Sequence, residues 1–364
     1  MRELSREENA LVFLDSFESL EYKHKKALLD LAKSPCELFR NTQTINNYFQ
    51  SIGKPQIASA MLLALKNSDY VKETISNSLK GADDVITLAS ENYPKELANI
   101  PTPPLVLYAK GNVELLAKKK IAIVGSRKTL ALYSKKAEEI AFDLSSNGIV
   151  VVTGIAEGAD TSAIKGGLKS GNIISVFAGE VAKVYPATAS ELAQKIIESG
   201  GLIISEFASG RTPRVYSYPV RNRIIAGLSM GTLIVSGTET SGTRYTAGYS
   251  VDYGREVFCL PYGIGVASGE ICKSLVKNGA TMVETAEEIA DSLNIKLKER
   301  NQEQIELSEK EKVLYDLIRN GVSDTDILAE RSSLLIFEII STLGMLELKG
   351  FIVKDLNGEY SAAK

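Results

Sequence analysis

The sequence predicts an α/β protein built around a doubly wound, mostly parallel β-sheet, with a small helical domain before it and another small domain after it. From residue 118 to about residue 293, short apolar segments alternate with stretches of helical apolar spacing, as expected of strand–helix–strand units. A chain of 364 residues, 44% hydrophobic and 24% charged, is long enough for two or three globular domains.

Two segments precede the predicted sheet. Residues 1–80 carry apolar side chains at helical spacing, and we interpret them as a helical domain. Residues 81–117 are rich in proline, mostly between residues 94 and 104, and proline disfavours helix. We therefore expect an extended segment that ends in a short strand at Leu105–Tyr108 and leads into the sheet.

Residues 118–293 form the predicted sheet domain. Its strand candidates are short apolar runs between turn signals, namely Ile121–Val124, Ile149–Thr153, Ile173–Phe177, Leu202–Ser205, Thr232–Val235 and Glu256–Leu260. Tyr133–Ser146 has the apolar spacing of an amphipathic helix that covers such a sheet. Ligands bind beyond the carboxyl ends of parallel strands, so the loops that follow these strands are the candidate site.

The end of the chain predicts a separate domain. Residues 294–306 are polar and are interpreted as a linker, and residues 307–364 predict three helices and a hairpin, the order of a winged-helix-like domain. A capping box at Ser308 opens the first helix, and Asn357-Gly358 is the turn signal of the hairpin. These residues include seven basic and ten acidic side chains. Because DNA-reading helices are usually basic, the domain suits contact with protein better than contact with DNA.

Composition narrows the classes of function. A net charge of −3 means that any nucleic-acid site must be a local basic patch. The three cysteines are widely spaced and form no metal-binding pattern, which fits a reducing compartment. We see neither an apolar signal region nor an apolar run long enough to span a bilayer, and we expect a cytoplasmic protein without membrane contact.

A phosphate site is predicted where Gly125-Ser126-Arg127-Lys128 follows the first strand of the sheet domain. A strand–turn–helix junction presents backbone N–H groups and the positive end of a helix dipole, and the two cations add charge. The glycine spacing of a P-loop or of a dinucleotide-binding fingerprint is absent, so no motif for nucleotide hydrolysis is present here.

Two further junctions carry candidate ligand-binding groups. Gly154–Asp160 follows the second strand, and Lys165 in the next helix could face the same crevice. We interpret Asp160 as a helix N-cap. Ser236–Thr243, after the fifth strand, offers more amides and hydroxyls.

The segment from Ser209 to Arg223 is the most basic of the candidate sites. It contains four arginines, two tyrosines and no acid. Arginine binds phosphate in a bidentate manner, and tyrosine rings offer faces on which unpaired bases stack. The segment predicts a site for single-stranded nucleic acid, with a solvated loop as the alternative. We interpret Glu206, just before it, as an ion-pair partner of an arginine rather than a general base.

Side chains for catalysis are scarce. His24 is the only histidine, so a Ser-His-Asp triad, a histidine-based metal site and histidine general-base catalysis are excluded within one chain. We interpret His24 as a surface residue and Cys259 as a core residue. We expect no catalytic residue, no metal and no cofactor.

Several motifs, in order along the chain, resemble the DNA-processing protein A (DprA/Smf) family. The matching segments are Tyr93-Pro94, Ile100–Gly111, Ile121–Arg127, Gly154–Asp160, Val184–Pro186, Ser205–Phe207, Arg221–Leu228, Ser241-Gly242, Gly254–Phe258 and Glu347–Gly350. The most specific are the Gly-Ser-Arg junction and the run Arg-Asn-Arg-Ile-Ile-Ala-Gly-Leu that begins at Arg221.

The resemblance implies a sterile-alpha-motif-like helical domain, an extended Rossmann-like domain and a winged-helix-like domain. It implies a non-enzymatic protein that binds and protects incoming single-stranded DNA during natural transformation, loads the RecA recombinase onto it and forms a homodimer through the Rossmann-like domain. Tyr218, at a position usually held by phenylalanine, would stack on a base. With the basic segment included, the expected DNA-binding residues are Gly125, Ser126, Arg127, Lys128, Lys165, Arg211, Arg214, Tyr218, Arg221, Asn222 and Arg223.

The sequence departs from the family pattern at a few positions. Val215 stands where a lysine is frequent, and Glu157 where a basic or neutral residue is common. Ile164 replaces a frequent histidine, and Ala178-Gly179-Glu180 replaces glycine-cysteine-glycine. Arg244-Tyr245 interrupts the usual run Ser-Gly-Ser-Leu-Ile-Thr.

Two other functions remain open from the sequence. One is a Rossmann-type enzyme acting on nucleoside phosphates, similar to phosphoribohydrolases, although their proline-glycine-glycine-x-glycine-threonine motif is absent and Ser236-Gly-Thr-Glu is only a weak echo of it. The other is a protein-interaction scaffold whose acidic C-terminal domain recruits a partner and whose DNA binding is vestigial.

Overall fold

The computed structural model describes residues 2–298, 307–332, 334–354 and 359–362. The chain forms two compact units, residues 1–297 and residues 298–364. The division of the first unit into a helical domain, a proline-rich extension and a sheet domain stays an interpretation of the sequence.

Six helices open the first unit, and capping residues explain where several begin. Ser5 and Glu8 form a capping box at the start of the first helix, and proline stands at the start of the third and fifth helices. The helices are α1 (Arg6–Asp15), α2 (Tyr22–Leu31), α3 (Pro35–Arg40), α4 (Thr42–Ser51), α5 (Pro55–Lys66) and α6 (Ser68–Ser78). The surface interpretation of His24 is wrong: the ring is buried, and Nδ1 lies 2.8 Å from the hydroxyl of Tyr48.

A nine-stranded sheet forms the centre of the first unit, in the order β1-β2-β6-β5-β4-β3-β7-β8-β9. Its strands are β1 (Asp84–Thr87), β2 (Val106–Gly111), β3 (Lys120–Val124), β4 (Val150–Thr153), β5 (Ile173–Val176), β6 (Leu202–Ser205), β7 (Gly231–Ile234), β8 (Glu256–Cys259) and β9 (Thr281–Met282). Strands β3 to β9 pair in parallel, whereas β2 pairs antiparallel with both β1 and β6. The predicted α/β fold is therefore confirmed. The proline-rich extension adds two strands, β1 and β2, at one side of the same sheet, with β1 at the edge.

Helices cover both faces of the sheet, as alternate side chains of β3 show. Ile121 and Ile123 belong to one buried cluster, whereas Ala122 and Val124 belong to the other. The helices are α7 (Lys95–Ala98), α8 (Ala131–Ser146), α9 (Ala159–Leu168), α10 (Ala187–Glu198), α11 (Ser217–Leu228), α12 (Thr243–Asp252), α13 (Glu270–Lys277) and α14 (Ala286–Ser292), with short 3-10 helices at Val113–Ala117 and Ala267–Gly269.

The strand order creates one reversal point, and this positions the candidate site. The chain moves outward from β3 through β4 and β5 to β6, then returns to β7 on the other side of β3. The loops that leave β3 and β7 therefore diverge at the same edge of the sheet. Such a reversal is the usual ligand-binding position of doubly wound sheets.

The second unit has the predicted order of three helices and two strands: α15 (Glu309–Arg319), α16 (Thr325–Ser332), α17 (Ile336–Leu348), β10 (Ile352–Lys354) and β11 (Tyr360–Ala362). The capping box at Ser308 is confirmed, and Asp324 accepts hydrogen bonds from the first-turn amides of α16. Strands β10 and β11 pair antiparallel. The predicted turn at Asn357-Gly358, and residues 299–306 of the predicted linker, lie outside the described residues.

Candidate functional site

A cavity of about 670 Å³ opens at the carboxyl ends of the central strands, beside the reversal point. It is lined by the loops after β3 and β4, by residues that follow β5, and by the first turns of α10, α11 and α12. The expected site residues that line it are Gly125, Ser126, Arg127, Lys128, Tyr218, Arg221 and Asn222.

The loop after β3 is held tightly against the end of β7. The Ser126 amide donates to Ser236 Oγ at 3.0 Å, and the Lys128 amide donates to Ser126 Oγ at 3.1 Å. Gly125 is required because a Cβ there would lie 2.6 Å from the Cβ of Ala159 and 3.0 Å from Ser236 Oγ. The expectation that this junction presents free amides needs correction, since two of its N–H groups already donate within the protein.

The loop after β4 packs against the loop after β3. Gly158 has φ of +80°, and a Cβ on it would come within 2.6 Å of the Arg127 carbonyl oxygen. Gly158, not Asp160, is the N-cap of α9, so the capping interpretation of Asp160 is wrong. The Asp160 carboxylate instead accepts from the Ala156 amide at 3.3 Å and is buried beneath the cavity.

Arg221 is the buried cation of the cavity, with 7% of the residue exposed. It donates from Nη1 to the carbonyl oxygen of Val176, and its guanidinium lies over Gly154, where a Cβ would be 2.6 Å from Nη1. Its Nε has no hydrogen-bond partner within the described part of the chain. A buried donor without a partner is costly, so a ligand that supplies an acceptor would be favoured here.

Charges interact strongly at the bottom of the cavity. Burial raises the pKa of Asp160 above its usual value, and the nearby Arg221 guanidinium offsets this only in part. Burial lowers the pKa of Arg221, while Asp160 opposes that shift and the charge of Arg127 adds to it. An anion bound between the two arginines would relieve their mutual repulsion.

The mouth of the cavity combines free cations with aromatic rings. Arg127 and Lys128 are exposed, and neither forms an ion pair with a described carboxylate. Tyr218 and Tyr185 also line the cavity, with 40% and 74% of their surfaces exposed. Glu157 is exposed on the same lining, so one acidic side chain faces the entrance.

The family model of DNA recombination-mediator protein A matches residues 84–294, which include the whole cavity. This chain belongs to that family. The resemblance drawn from the motifs is thereby confirmed. Protein Smf of Escherichia coli (strain K12) is 32% identical over 280 residues, which are 74% of this chain and 74% of that protein. DNA processing protein DprA of Bacillus subtilis (strain 168) is 33% identical over 250 residues, 67% of this chain and 83% of that protein.

Solved structures of the DprA family have the same fold. DprA from Streptococcus pneumoniae superposes with a TM-score of 0.57 at 26% identity, covering 75% of this chain and 98% of that chain. The structure reported for the single-stranded DNA binding mode of DprA from Helicobacter pylori has a TM-score of 0.53 at 28% identity, covering 58% of this chain and 96% of that chain.

Four expected DNA-binding residues of this DprA-family chain do not line the cavity. Arg223 points away from it: the two Nη atoms donate to the Glu206 carboxylate at 2.7 and 2.6 Å, and Nε donates to the Thr102 carbonyl oxygen at 3.0 Å. Burial alone would lower the pKa of Arg223, but the charge and hydrogen bonds of Glu206 outweigh burial and raise it. Arg223 is therefore a structural anchor, and Glu206 is the ion-pair partner that the sequence suggested.

The other three lie elsewhere on the first unit. Arg211 pairs with Asp15 at 3.3 Å and Glu18 at 2.9 Å, which ties its loop to the end of α1. Arg214 is exposed beside Tyr216, and Lys165 is exposed on α9. The expected convergence of cations thus holds for Arg127, Lys128 and Arg221 but does not extend to these residues or to Arg223.

Sequence reasoning missed several residues of the cavity. Asp160, Tyr185 and Tyr245 all line it, although the sequence predicts a capping role for Asp160 and no binding role for the two tyrosines. The helical position of Asp160 gave no signal of its burial against an arginine 61 positions away. Tyr245 did carry a signal, because it interrupts an otherwise matching family motif in the loop after β7.

Neither metal chemistry nor membrane insertion finds support in the described residues. No group of three or more His, Cys, Asp or Glu side chains among them could hold a metal ion. None of the described helices has the length and apolar character needed to cross a bilayer.

Proposed function

We propose that this protein binds single-stranded DNA in the cavity at the carboxyl ends of the central strands, as a step in recombination. The observation that carries the proposal is the convergence of two arginines, Arg127 and Arg221, with the ring of Tyr218 in one cavity. Guanidinium groups bind phosphodiesters, and an aromatic ring binds the face of an unpaired base. The Helicobacter pylori relative, reported for its mode of binding single-stranded DNA, supports the same ligand.

The shape of the cavity favours a single strand over a duplex. The cavity offers the ring of Tyr218 to a base and the buried Arg221 to a phosphate, so the base that stacks there must be unpaired. Bases in a duplex are paired and stacked, and extruding one costs a few kcal/mol. A single strand has no such cost, and its affinity should exceed that of the duplex at every salt concentration.

The direct test compares oligo-dT with a duplex of equal length in a salt titration monitored by fluorescence anisotropy. Arg127→Ala should weaken oligo-dT binding and reduce the slope of log affinity against log salt by about one unit, because one phosphate contact is lost. Arg40→Ala is the matched control, since Arg40 is exposed on α3 and its ion-pair partner is Glu37. If the original protein, Arg127→Ala and Arg40→Ala all show the same salt slope, Arg127 does not contact the DNA.

We further propose the recombination steps associated with such proteins: protection of incoming single strands during natural transformation, loading of the RecA recombinase and homodimerisation through the sheet domain, all in the cytoplasm. The family description as a recombination mediator supports this assignment. A pull-down with RecA, using the full chain and a chain ending at residue 298, tests the partner and the contribution of the second unit. Sedimentation equilibrium tests whether the particle contains one chain or two.

A further inference from the structure

The first turn of α12 carries two side chains that the proposed site does not yet use, Arg244 and Tyr245. Tyr245 lines the cavity and is 40% exposed, the same exposure as Tyr218. Because this exposed ring borders the cavity that also contains Arg127 and Arg221, it is available to a ligand bound there.

Arg244 fixes the ring of Tyr245 from one side. Its guanidinium carbon lies 5.0 Å from the ring centre, within cation–π range, and Nη2 donates to the tyrosine hydroxyl at 3.3 Å. Among the described carboxylates, none forms an ion pair with Arg244. The arginine therefore covers one face of the ring and holds its orientation. Arg244 does not itself line the cavity: it lies on the adjacent surface, near Glu239 and Asp252, and carries its positive charge beside the ring.

The two rings stand on neighbouring helices. Tyr218 is in the first turn of α11, Tyr245 is in the first turn of α12, and these helices pack against each other. Both rings border the same cavity. Proteins that bind single strands commonly stack successive bases on separate aromatic side chains beside a cationic groove.

We propose that Tyr245, held by Arg244, is a second base-stacking platform, on which a neighbouring nucleotide of the strand rests while another stacks on Tyr218. This inference rests on the proposed binding of single-stranded DNA. The ring face away from Arg244 binds the base, and Arg244 attracts the adjoining phosphate. A preoriented ring loses little conformational freedom on binding, which favours affinity.

Tryptophan fluorescence gives a direct test because the sequence contains no tryptophan. Tyr245→Trp introduces the chain's single tryptophan at the platform. Stacking of a base on it should quench the tryptophan emission as oligo-dT is titrated. Leu63→Trp is the control, since Leu63 is 72% exposed on α5 among the N-terminal helices. Its emission should stay constant over the same titration, while anisotropy of labelled oligo-dT reports binding for both proteins.

Affinity measurements distinguish base stacking on the ring of Tyr245 from apolar contact that any large side chain could make at this position. Tyr245→Ile keeps an apolar side chain but removes the aromatic face, and it should weaken oligo-dT binding about tenfold. Tyr245→Phe keeps the face and loses only the hydroxyl, so its affinity should stay within about twofold of the original protein. Arg244→Gln should weaken binding and also reduce the salt slope by about one unit.

The outcomes distinguish this inference from the proposed function. If oligo-dT binds but Tyr245→Trp is not quenched and Tyr245→Ile binds normally, the platform is wrong while the cavity site stands. If neither the original protein nor the control binds oligo-dT, the proposed function fails and the platform fails with it. Both the platform and the proposed function are supported if oligo-dT quenches the tryptophan at position 245 but not the one at position 63, and if Tyr245→Ile weakens binding while Tyr245→Phe does not.

Discussion

The basic segment has two halves, residues 209–216 and residues 217–223, which each contain two arginines and one tyrosine but have different roles. In the first half, Arg211 is held by Asp15 and Glu18, and Glu180 accepts hydrogen bonds from the Ser209 hydroxyl and the Gly210 amide. The contacts of Arg211 join the loop to the N-terminal helices, and those of Glu180 join it to the segment after β5. The positive charge of Arg211 is therefore neutralised by carboxylates of the protein, and Arg214, the other arginine of this half, is exposed away from the cavity.

The second half presents its groups to the cavity. Tyr218, Arg221 and Asn222 line it, whereas Arg223, two positions after Arg221, is bound to Glu206 on another side of α11. Residues two apart on a helix point in different directions, so a run of arginines cannot share one surface. Positive charge marks a binding residue only where no carboxylate of the protein already neutralises it.

The largest expected effect tests Arg223 as an anchor. Arg223→Ala removes the buried partner of the half-buried Glu206 carboxylate, and the free energy of unfolding should fall by about 3–5 kcal/mol. Urea unfolding followed by circular dichroism measures the change. The double variant Arg223→Met with Glu206→Leu should recover much of this loss because no unpaired charge remains. A loss below 1 kcal/mol for the single variant would contradict the anchoring role.

The next effect concerns DNA affinity rather than stability. Tyr218→Ala should weaken oligo-dT binding by about 1–3 kcal/mol through the lost base stack, with little change in stability. Tyr216→Ala is the matched control, because Tyr216 is more exposed, at 61%, but does not line the cavity. Equal losses for the two variants in anisotropy titrations would show that the comparison between the halves is wrong.

A smaller effect tests the first half of the segment. Arg211→Ala removes hydrogen-bonded ion pairs to Asp15 and Glu18, and the free energy of unfolding should fall by about 1.5–3 kcal/mol. Lys25 still pairs with Asp15 at 3.1 Å, which places the expected loss at the lower end. The salt slope of oligo-dT binding should not change. A reduced salt slope for Arg211→Ala would show that Arg211 contacts the DNA.

Much of the fold could be predicted from the sequence because local patterns determine it. All six predicted strands of the sheet domain are present, since each is a short apolar run between turns. Strands β1 and β9 were not predicted from the sequence, for two different reasons. β1 has little apolar periodicity of its own and is stabilised by pairing with β2, and β9 spans only two residues.

The candidate site could be predicted only in part, because partners distant in sequence decide which charges are free. The sequence around Arg221 and Arg223 does not show which of the two is free. The structure shows that Glu206, which follows β6, accepts hydrogen bonds from Arg223 in α11 and so neutralises it. Arg211 is likewise neutralised by residues of α1 and the turn after it, nearly 200 positions earlier. The sequence motifs indicate where the cavity lies. Ion pairs with carboxylates distant in the sequence determine which of the arginines remain free to bind a ligand.

The smallest expected effect is a pH dependence of DNA binding that arises from Asp160, the carboxylate buried beside Arg221. Burial raises the pKa of Asp160 above its usual 3.8, so this carboxylate gains its proton earlier than an exposed one as the pH falls from 7 towards 4. Protonation removes a negative charge beside Arg221, and oligo-dT binding should strengthen by about threefold, on the order of 0.7 kcal/mol. Thymine and phosphodiester groups do not titrate in this range, so the change reports the protein. Asp160→Asn should bind more tightly at pH 7 and lose this pH dependence, while Glu157→Gln, at the exposed entrance, should retain it. An identical pH profile in Asp160→Asn and the original protein would place the titrating group elsewhere and remove Asp160 from the electrostatics of the site.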